Sequence, residues 1–212
     1  MKKMMLLLVL GLMSFQTVQN DPAAEKLLDR VSKKFQSYKS VYIEFDYNLH
    51  NPDAQVDQET NGRVSIKGSK YHAEYEGVID IFDGQKRYLI IPENKEVNIS
   101  TPEKGEGELT PAHLFDFFKE GYRFKMDIKQ HLRGRTIQYV RLLPVDENND
   151  VDYVLLGIDA KTYNIYKVII VQKDKTRITI RIRKFDINKP FNDQMFKFDK
   201  SKYAGYTIND LD

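Results

Sequence analysis

Cysteine and tryptophan are both missing from this sequence of 212 residues. Without cysteine, the chain can form no disulfide bond, cysteine zinc site, iron–sulfur cluster or thiolate nucleophile. A large excess of one charge is missing too, because the chain contains 33 lysines and arginines and 31 aspartates and glutamates. A nucleic-acid-binding protein normally has a clear basic excess, so nucleic acid is not an expected partner. Apolar residues make up 41% of the chain, which is long enough for one domain with a sizeable core.

Long apolar runs are scarce, and the run near the start is short. Two lysines precede an apolar stretch from Met4 to Phe15, which is the pattern of a secretory signal peptide. A membrane-spanning helix needs about 20 apolar residues, so this stretch is too short to be one. We therefore expect residues 1–20 to be a signal peptide with an approximate cleavage site. Residues 21–212 are expected to form a single domain that is soluble in the periplasm, because no cysteine can carry a lipid anchor.

Catalytic motifs are also missing. None of the four histidines, His50, His72, His113 and His131, lies at the spacing of a metal pair, and there is no HExxH motif. Neither a glycine-rich phosphate loop nor a Gly-x-Ser-x-Gly elbow occurs. We expect no enzyme, no cofactor and no metal. A hydrolase with two carboxylates in one cleft is the alternative that the sequence leaves open.

The hydrophobic pattern predicts two helices and many strands. Apolar residues recur at helical spacing from Pro22 to Tyr38, and Thr110–Lys119 predicts a short helix rich in phenylalanine. Elsewhere apolar and polar residues alternate, which predicts about eleven strands joined by short turns. The stretch from Asn51 to Thr60 is polar and predicts a loop. Met195–Phe198 predicts a last short strand, followed by a polar tail.

Short turns between successive strands indicate an antiparallel meander. A sheet of about eleven strands tends to curl. We expect a mainly β, α+β fold: an unclosed half-barrel whose concave side is plugged by the helices. A sandwich of two sheets is the structural alternative.

One-sided periodicity indicates which residues line the concave face. It selects Val41, Ile43, Phe45 and Tyr47 from the first strand. From the second helix it selects Leu114, Phe115 and Phe118. A curled sheet with a large apolar concave face can hold an acyl chain, so we expect these seven residues to form a lipid-binding cavity.

Several features follow one another in a recognisable order. After the first strand come Asn61–Val64 and then Val78–Tyr88, which is an apolar run, an Asp-Gly turn and an aromatic strand. A short helix follows a proline at Leu109–Phe115, and the chain closes with Met195–Phe198 and a Gly-Tyr pair at Gly205. In this order and spacing the chain resembles the periplasmic outer-membrane lipoprotein carrier (LolA) family, over nearly the whole exported domain.

The resemblance implies an unclosed barrel with helices that form a lid. Such carriers take the acyl chains of lipoproteins from an inner-membrane lipoprotein-releasing ABC transporter and deliver them to an outer-membrane acceptor. It therefore implies lipoprotein or other lipid acyl chains, the transporter and the acceptor as partners of a monomeric carrier. The family usually closes its lid with the arginine of an Arg-Pro pair after the second strand. Here Lys67 is the nearest match and no proline follows, and lysine cannot make the forked contacts of arginine.

Three further alternatives remain at the level of sequence. The same fold could serve as a periplasmic sensor or adaptor that binds a protein or another lipid. The second helix could be a permanently docked part of the core instead of a movable lid. The arginines between Arg177 and Arg183 could form a basic stripe for anionic partners, although such a stripe is more often the solvated side of a strand.

Overall fold

The computed structural model describes residues 20–102, 118, 121–132 and 134–212. This part of the chain contains one α-helix, twelve strands and two short 3-10 helices. In chain order they are α1 (Pro22–Gln36), β1 (Val41–Asn51), β2 (Val56–Lys67), β3 (Lys70–Tyr75), β4 (Val78–Phe82), β5 (Arg87–Ile91), β6 (Glu96–Ser100), β7 (Tyr122–Leu132), β8 (Arg135–Pro144), β9 (Val151–Asp159), β10 (Ile165–Gln172), β11 (Arg177–Ile187), the 3-10 helices Asp193–Phe196 and Lys200–Tyr203, and β12 (Thr207–Asp210).

Helix α1 begins where the sequence predicts. The side chain of Asp21 accepts a backbone N–H of the first turn at 2.8 Å, and Pro22 takes the first helical position. The helix ends at Gln36, two residues before the predicted Tyr38. Ser37 closes the last turn, because its N–H and its hydroxyl both donate to carbonyls of that turn.

The strands form one sheet in the order β12-β6-β5-β4-β3-β2-β1-β11-β10-β9-β8-β7. Neighbouring strands run antiparallel except at one edge, where β12 lies parallel to β6. The two edge strands, β7 and β12, are not neighbours in this order, so the described sheet does not close. The predicted mainly β fold with one curled, unclosed sheet is confirmed.

Helix α1 packs on one face of the sheet, which is called the inner face here. Buried side chains from β1, β2 and β3 and from β8, β9, β10 and β11 join Leu28 and Val31 of α1 in one apolar cluster. Strands from both halves of the sheet thus reach the same helix, so the sheet curls around α1 and the inner face is concave.

A second apolar cluster lies on the opposite, outer face. Ile81, Ile90 and Val97 are buried there beneath aromatic residues of the C-terminal segment. The ring of Phe198 stacks between those of Tyr88 and Tyr203, with centroids 4.9 and 5.3 Å away. This packing places the C-terminal segment so that β12 can extend the sheet beyond β6.

Two local predictions were wrong. Asn51–Thr60 is a turn only at residues 52–55, because β1 continues to Asn51 and pairs there with Val56 of β2. The residues at the beginning of β2 are exposed and mostly polar, so no apolar alternation marks this part of the strand. Met195–Phe198 is not a strand either: the 3-10 helix Asp193–Phe196 occupies its first half, and the side chain of Asn192 caps that helix.

Two predicted elements lie outside the described residues. These are the signal peptide, apart from Asn20, and the helix Thr110–Lys119, apart from Phe118. In the part of the chain that the structure describes, no helix is both long enough and apolar enough to cross a membrane.

Candidate functional site

The inner face holds the first-strand residues that the sequence selected for the cavity. Val41 and Ile43 are almost fully buried in the cluster around α1. Phe45 and Tyr47 follow on the same side of β1 and are only half-buried. The strand therefore divides into a buried part beneath the helix and a half-buried part beyond it.

Phe45 packs against a glycine on the neighbouring strand. Gly62 pairs directly with Phe45, and a Cβ atom at Gly62 would lie 2.4 Å from the Cζ atom of the ring. The ring thus occupies the space where a side chain of β2 would stand. The ring therefore lies close to the sheet.

Further apolar side chains on the inner face are half-buried. The strand register places them on the same side as the residues around α1. They are Leu49, Tyr75, Leu89, Ile91, Ile170, Ile178 and Ile180. Together with Phe45 and Tyr47 they form an apolar surface that α1 does not fully cover.

This surface includes one group of charged and hydroxylated side chains, called the polar cluster here. It consists of Asp80, Arg87, Tyr71 and Tyr75. The Asp80 carboxylate is fully buried, and it accepts hydrogen bonds from Nη2 of Arg87 at 2.8 Å and from Nε at 3.1 Å. The hydroxyls of Tyr71 and Tyr75 donate to the same carboxylate at 3.2 and 3.4 Å.

Burial and the neighbouring carboxylate hold both tyrosines in the protonated form. Burial, and then the charge of Asp80, raise the pKa of Tyr75 to about 12. The same two causes raise the pKa of Tyr71 still further. Both hydroxyls therefore remain hydrogen-bond donors to Asp80 over the whole physiological pH range.

The sequence analysis did not identify the polar cluster. Asp80 lies in the middle of the apolar run Val78–Phe82. An acid in such a run was the one sign in the sequence that a buried polar group occurs here. Its partner follows from the hairpin register, in which Asp80 faces Leu89 and Arg87 faces Phe82. Asp80 lies two residues before Phe82 on β4, so both side chains lie on the same face of the sheet. Arg87 pairs with Phe82 and therefore lies on that face too.

The second-helix residues are only partly described. Leu114 and Phe115 lie outside the described residues. Phe118 is buried in the cluster around α1, with 2% of its surface exposed. Its side chain therefore contributes to the packing of the inner face.

Lys67, the nearest match to the lid arginine of the family, is directed to the outer face. Its neighbour Ile66 lies in the cluster around α1, so the alternation of the strand turns Lys67 the other way. Its Nζ atom contacts Asp193 Oδ1 at 2.6 Å, and this contact lowers the pKa of Asp193. In the described structure the lysine thus fastens the C-terminal segment to β2.

The outer face is charged, and much of its charge is paired. Arg181 and Arg183 both contact Asp46, at 2.6 and 2.9 Å, so two arginines of the predicted basic stripe are partly neutralised. A groove of about 680 Å³ crosses this face beside Arg63 and Glu74, which pair with each other. Among the described residues, no group of three or more acids and histidines could hold a metal ion.

Comparisons with known proteins agree with this architecture. The family model described as outer membrane lipoprotein carrier protein LolA matches residues 36–199. An uncharacterized conserved protein from Thermus thermophilus has a similar structure, with a TM-score of 0.57, 10% identity, and coverage of 89% of this chain and 99% of that one. A DUF1329 family protein from Desulfovibrio piger has a TM-score of 0.51 and 8% identity, with 84% of this chain and 98% of that one covered. No curated protein matches the chain in sequence.

Proposed function

Because the chain belongs to the LolA family of outer membrane lipoprotein carrier proteins, we propose that it binds the acyl chains of lipoproteins or other lipids on its inner face. We further propose that it carries them through the periplasm from the inner to the outer membrane. The partners in this proposal are an inner-membrane lipoprotein-releasing ABC transporter and an outer-membrane acceptor.

The observation that supports the proposal is the apolar surface of the inner face beyond α1. Nine half-buried apolar or aromatic side chains line it, among them Phe45, Tyr47 and Ile170. Exposing an acyl chain to water costs about 0.8 kcal/mol per CH₂ group. A carrier that moves lipid through an aqueous compartment must cover those groups, and this surface offers matching apolar area.

The proposed activity involves binding and release without a covalent step. Release to the acceptor needs no chemical energy if the acceptor holds the acyl chains more tightly than the carrier does. We keep the absence of catalysis as part of the proposal, and turnover assays with lipid ester substrates test it.

A second candidate function is that of a sensor or adaptor that binds a protein. The groove on the outer face favours it, because Glu44, Arg63, Glu74 and Arg183 line that groove with charges of both signs. Such a surface suits a polar peptide better than an acyl chain. A protein that binds no acyl chain but retains a peptide partner after changes on the inner face would support this function.

The test of the carrier function compares two neighbouring residues of β10. Ile169 and Ile170 are both half-buried, but Ile170 is directed to the inner face and Ile169 to the outer face. We expect delipidated protein to bind a fluorescent fatty-acyl probe. Ile170→Asn should weaken this binding by about tenfold, since it places a polar amide in the apolar surface. Ile169→Asn is the matched control and should leave binding unchanged.

Two results would contradict the proposal. One is a wild-type protein that binds no acyl probe and carries no lipid when it is purified from its native compartment. The other is an equal loss of binding in both variants at equal denaturation midpoints. Mass spectrometry of co-purified lipids would identify the cargo in the positive case.

A further inference from the structure

The hydroxyl of Tyr47 is a polar group within the apolar surface of the inner face. Tyr71 and Tyr75 on the same face donate their hydroxyls to the buried Asp80 carboxylate, at 3.2 and 3.4 Å. The Tyr47 side chain is half-buried, and its hydroxyl makes no hydrogen bond with any residue that the structure describes. A tyrosine that is removed from water usually has a hydrogen-bond partner, so this hydroxyl is suited to a bound ligand.

The position of Tyr47 along β1 determines which end of a lipid lies beside it. In one direction follow Phe45 and then Ile43, which is fully buried in the cluster around α1. In the other direction the strand ends at the turn of residues 52–55, which is exposed. An acyl chain needs apolar cover, whereas a polar head group must keep its hydration. A bound lipid would therefore direct its chain toward α1 and its polar end toward the turn.

The protonation state and the surroundings of the hydroxyl determine which ligand group it can bind. Burial, and then the charge of Glu76 in the turn between β3 and β4, raise the pKa of Tyr47. The hydroxyl therefore stays protonated at physiological pH and can donate a hydrogen bond. Glu76 would repel an anionic ligand group at this position, whereas a neutral carbonyl oxygen accepts the hydrogen bond and adds no charge.

We propose that the Tyr47 hydroxyl donates a hydrogen bond to the ester or amide carbonyl of a bound lipid, and that this bond makes the inner face selective for acyl over alkyl chains. The inference rests on the proposed acyl-chain binding and identifies the residue that recognises the carbonyl end of the chain. On the same side of β1, Phe45 and Leu49 flank Tyr47 and have no polar side-chain group. At this part of the strand the polar contact thus comes from Tyr47.

The test measures how tightly palmitoylglycerol and hexadecylglycerol displace a fluorescent fatty-acyl probe. The two lipids have chains of equal length, linked to glycerol as an ester in the first and as an ether without a carbonyl group in the second. The decisive quantity is the ratio of their affinities. Tyr47→Phe keeps the ring and removes the hydroxyl, and we expect it to shift the ratio toward the ether by about fivefold, the effect of losing one neutral hydrogen bond.

The matched control is Tyr203→Phe. Tyr203 stacks on Phe198 on the outer face, and its hydroxyl also makes no hydrogen bond with a described residue, so this variant should leave the ratio unchanged. The ratio stays decisive even if a variant is less stable, because a loss of folded protein weakens the binding of both lipids equally. An unchanged ratio in Tyr47→Phe, or an equal shift in Tyr203→Phe, would overturn the inference and leave the carrier function standing. A wild-type protein that binds neither lipid nor the probe would overturn the carrier function as well.

Discussion

At the scale of single residues, two glycines make room for aromatic rings on the neighbouring strand. Gly62 pairs with Phe45 on the inner face, and Gly157 pairs with Tyr139. A Cβ atom would lie 2.4 Å from the ring in the first pair and 2.8 Å in the second. The alternation of β1 predicted the side to which Phe45 points. The glycine beneath it could not be predicted, because the pairing depends on the register between strands.

The first prediction concerns Gly62→Ala. The added methyl group would overlap the Phe45 ring and would also lie 2.9 Å from the Glu74 carbonyl oxygen. We expect the free energy of unfolding to fall by about 1–3 kcal/mol, which is the usual cost of overpacking. Urea denaturation measures this change. Glu59→Ala on the same strand is the control, and wild-type stability in Gly62→Ala would show that the ring moves aside without cost.

The polar cluster illustrates a second limit at this scale. Asp80 appears in the sequence as one acid in an apolar strand, and alternation alone would place it on a face without naming its partners. The cluster needs the register of β4 with both β3 and β5 before Tyr71, Tyr75 and Arg87 come together. Pairings between strands are therefore the information that a pattern along one strand does not contain.

At the scale of elements, the sequence predicted those strands that have one apolar face and clear turn signals. Strand β4 (Val78–Phe82) coincides with the apolar run that precedes the Asp-Gly turn in the segment Val78–Tyr88. The beginning of β2 and all of β12 were missed, because these segments are polar and mostly exposed. They form strands because their backbones hydrogen-bond to a neighbouring strand. Hydrophobic periodicity contains no information about those hydrogen bonds, so it could not predict these strands.

The start of α1 also protects the edge of the sheet. The Asn20 side chain accepts the Phe124 N–H at 3.1 Å, and the Asp21 carboxylate accepts the Met126 N–H at 3.1 Å. In the other direction, the Asp21 N–H donates to the Phe124 carbonyl at 3.0 Å. Backbone groups of β7 that would otherwise be open to another chain are thereby occupied.

The second prediction tests this connection with Asp21→Ala. We expect faster amide hydrogen exchange at Met126 and a lower denaturation midpoint, because the Asp21 side chain serves both the helix cap and the strand edge. Hydrogen bonds from Met126 and then Ala23 lower the pKa of Asp21, so its contribution to stability is present above the unfolded pKa and is lost as the pH falls through the folded one. Asp29→Ala on the exposed side of α1 is the control. Unaltered exchange at Met126 would contradict the prediction.

At the scale of the whole molecule, the shape of the sheet depends on the number of strands and on the helix that packs inside it. Twelve strands curl around one described helix, and α1 covers the inner face where β1–β3 and β8–β11 converge. The number of strands made this shape predictable, because a large antiparallel sheet tends to curl. The area of the inner face that α1 covers was not predictable, because it depends on how α1 lies across the strands. The uncovered part of the inner face is the surface on which acyl-chain binding is proposed.

The last prediction separates the packing of the inner face from its proposed binding function. Phe118 and Phe196 are both buried, with 2% and 0% of their surface exposed, but Phe118 packs in the inner cluster and Phe196 lies beside β3 on the outer face. Replacing either by alanine should lower the free energy of unfolding by about 3–5 kcal/mol. Only Phe118→Ala should also weaken acyl-probe binding, by about fivefold, because it removes apolar surface on the face that holds the chain. Denaturation midpoints and probe titrations below those midpoints measure the two effects. Equal probe affinities in the two variants would mean that Phe118 serves the core alone, as a docked part of the structure.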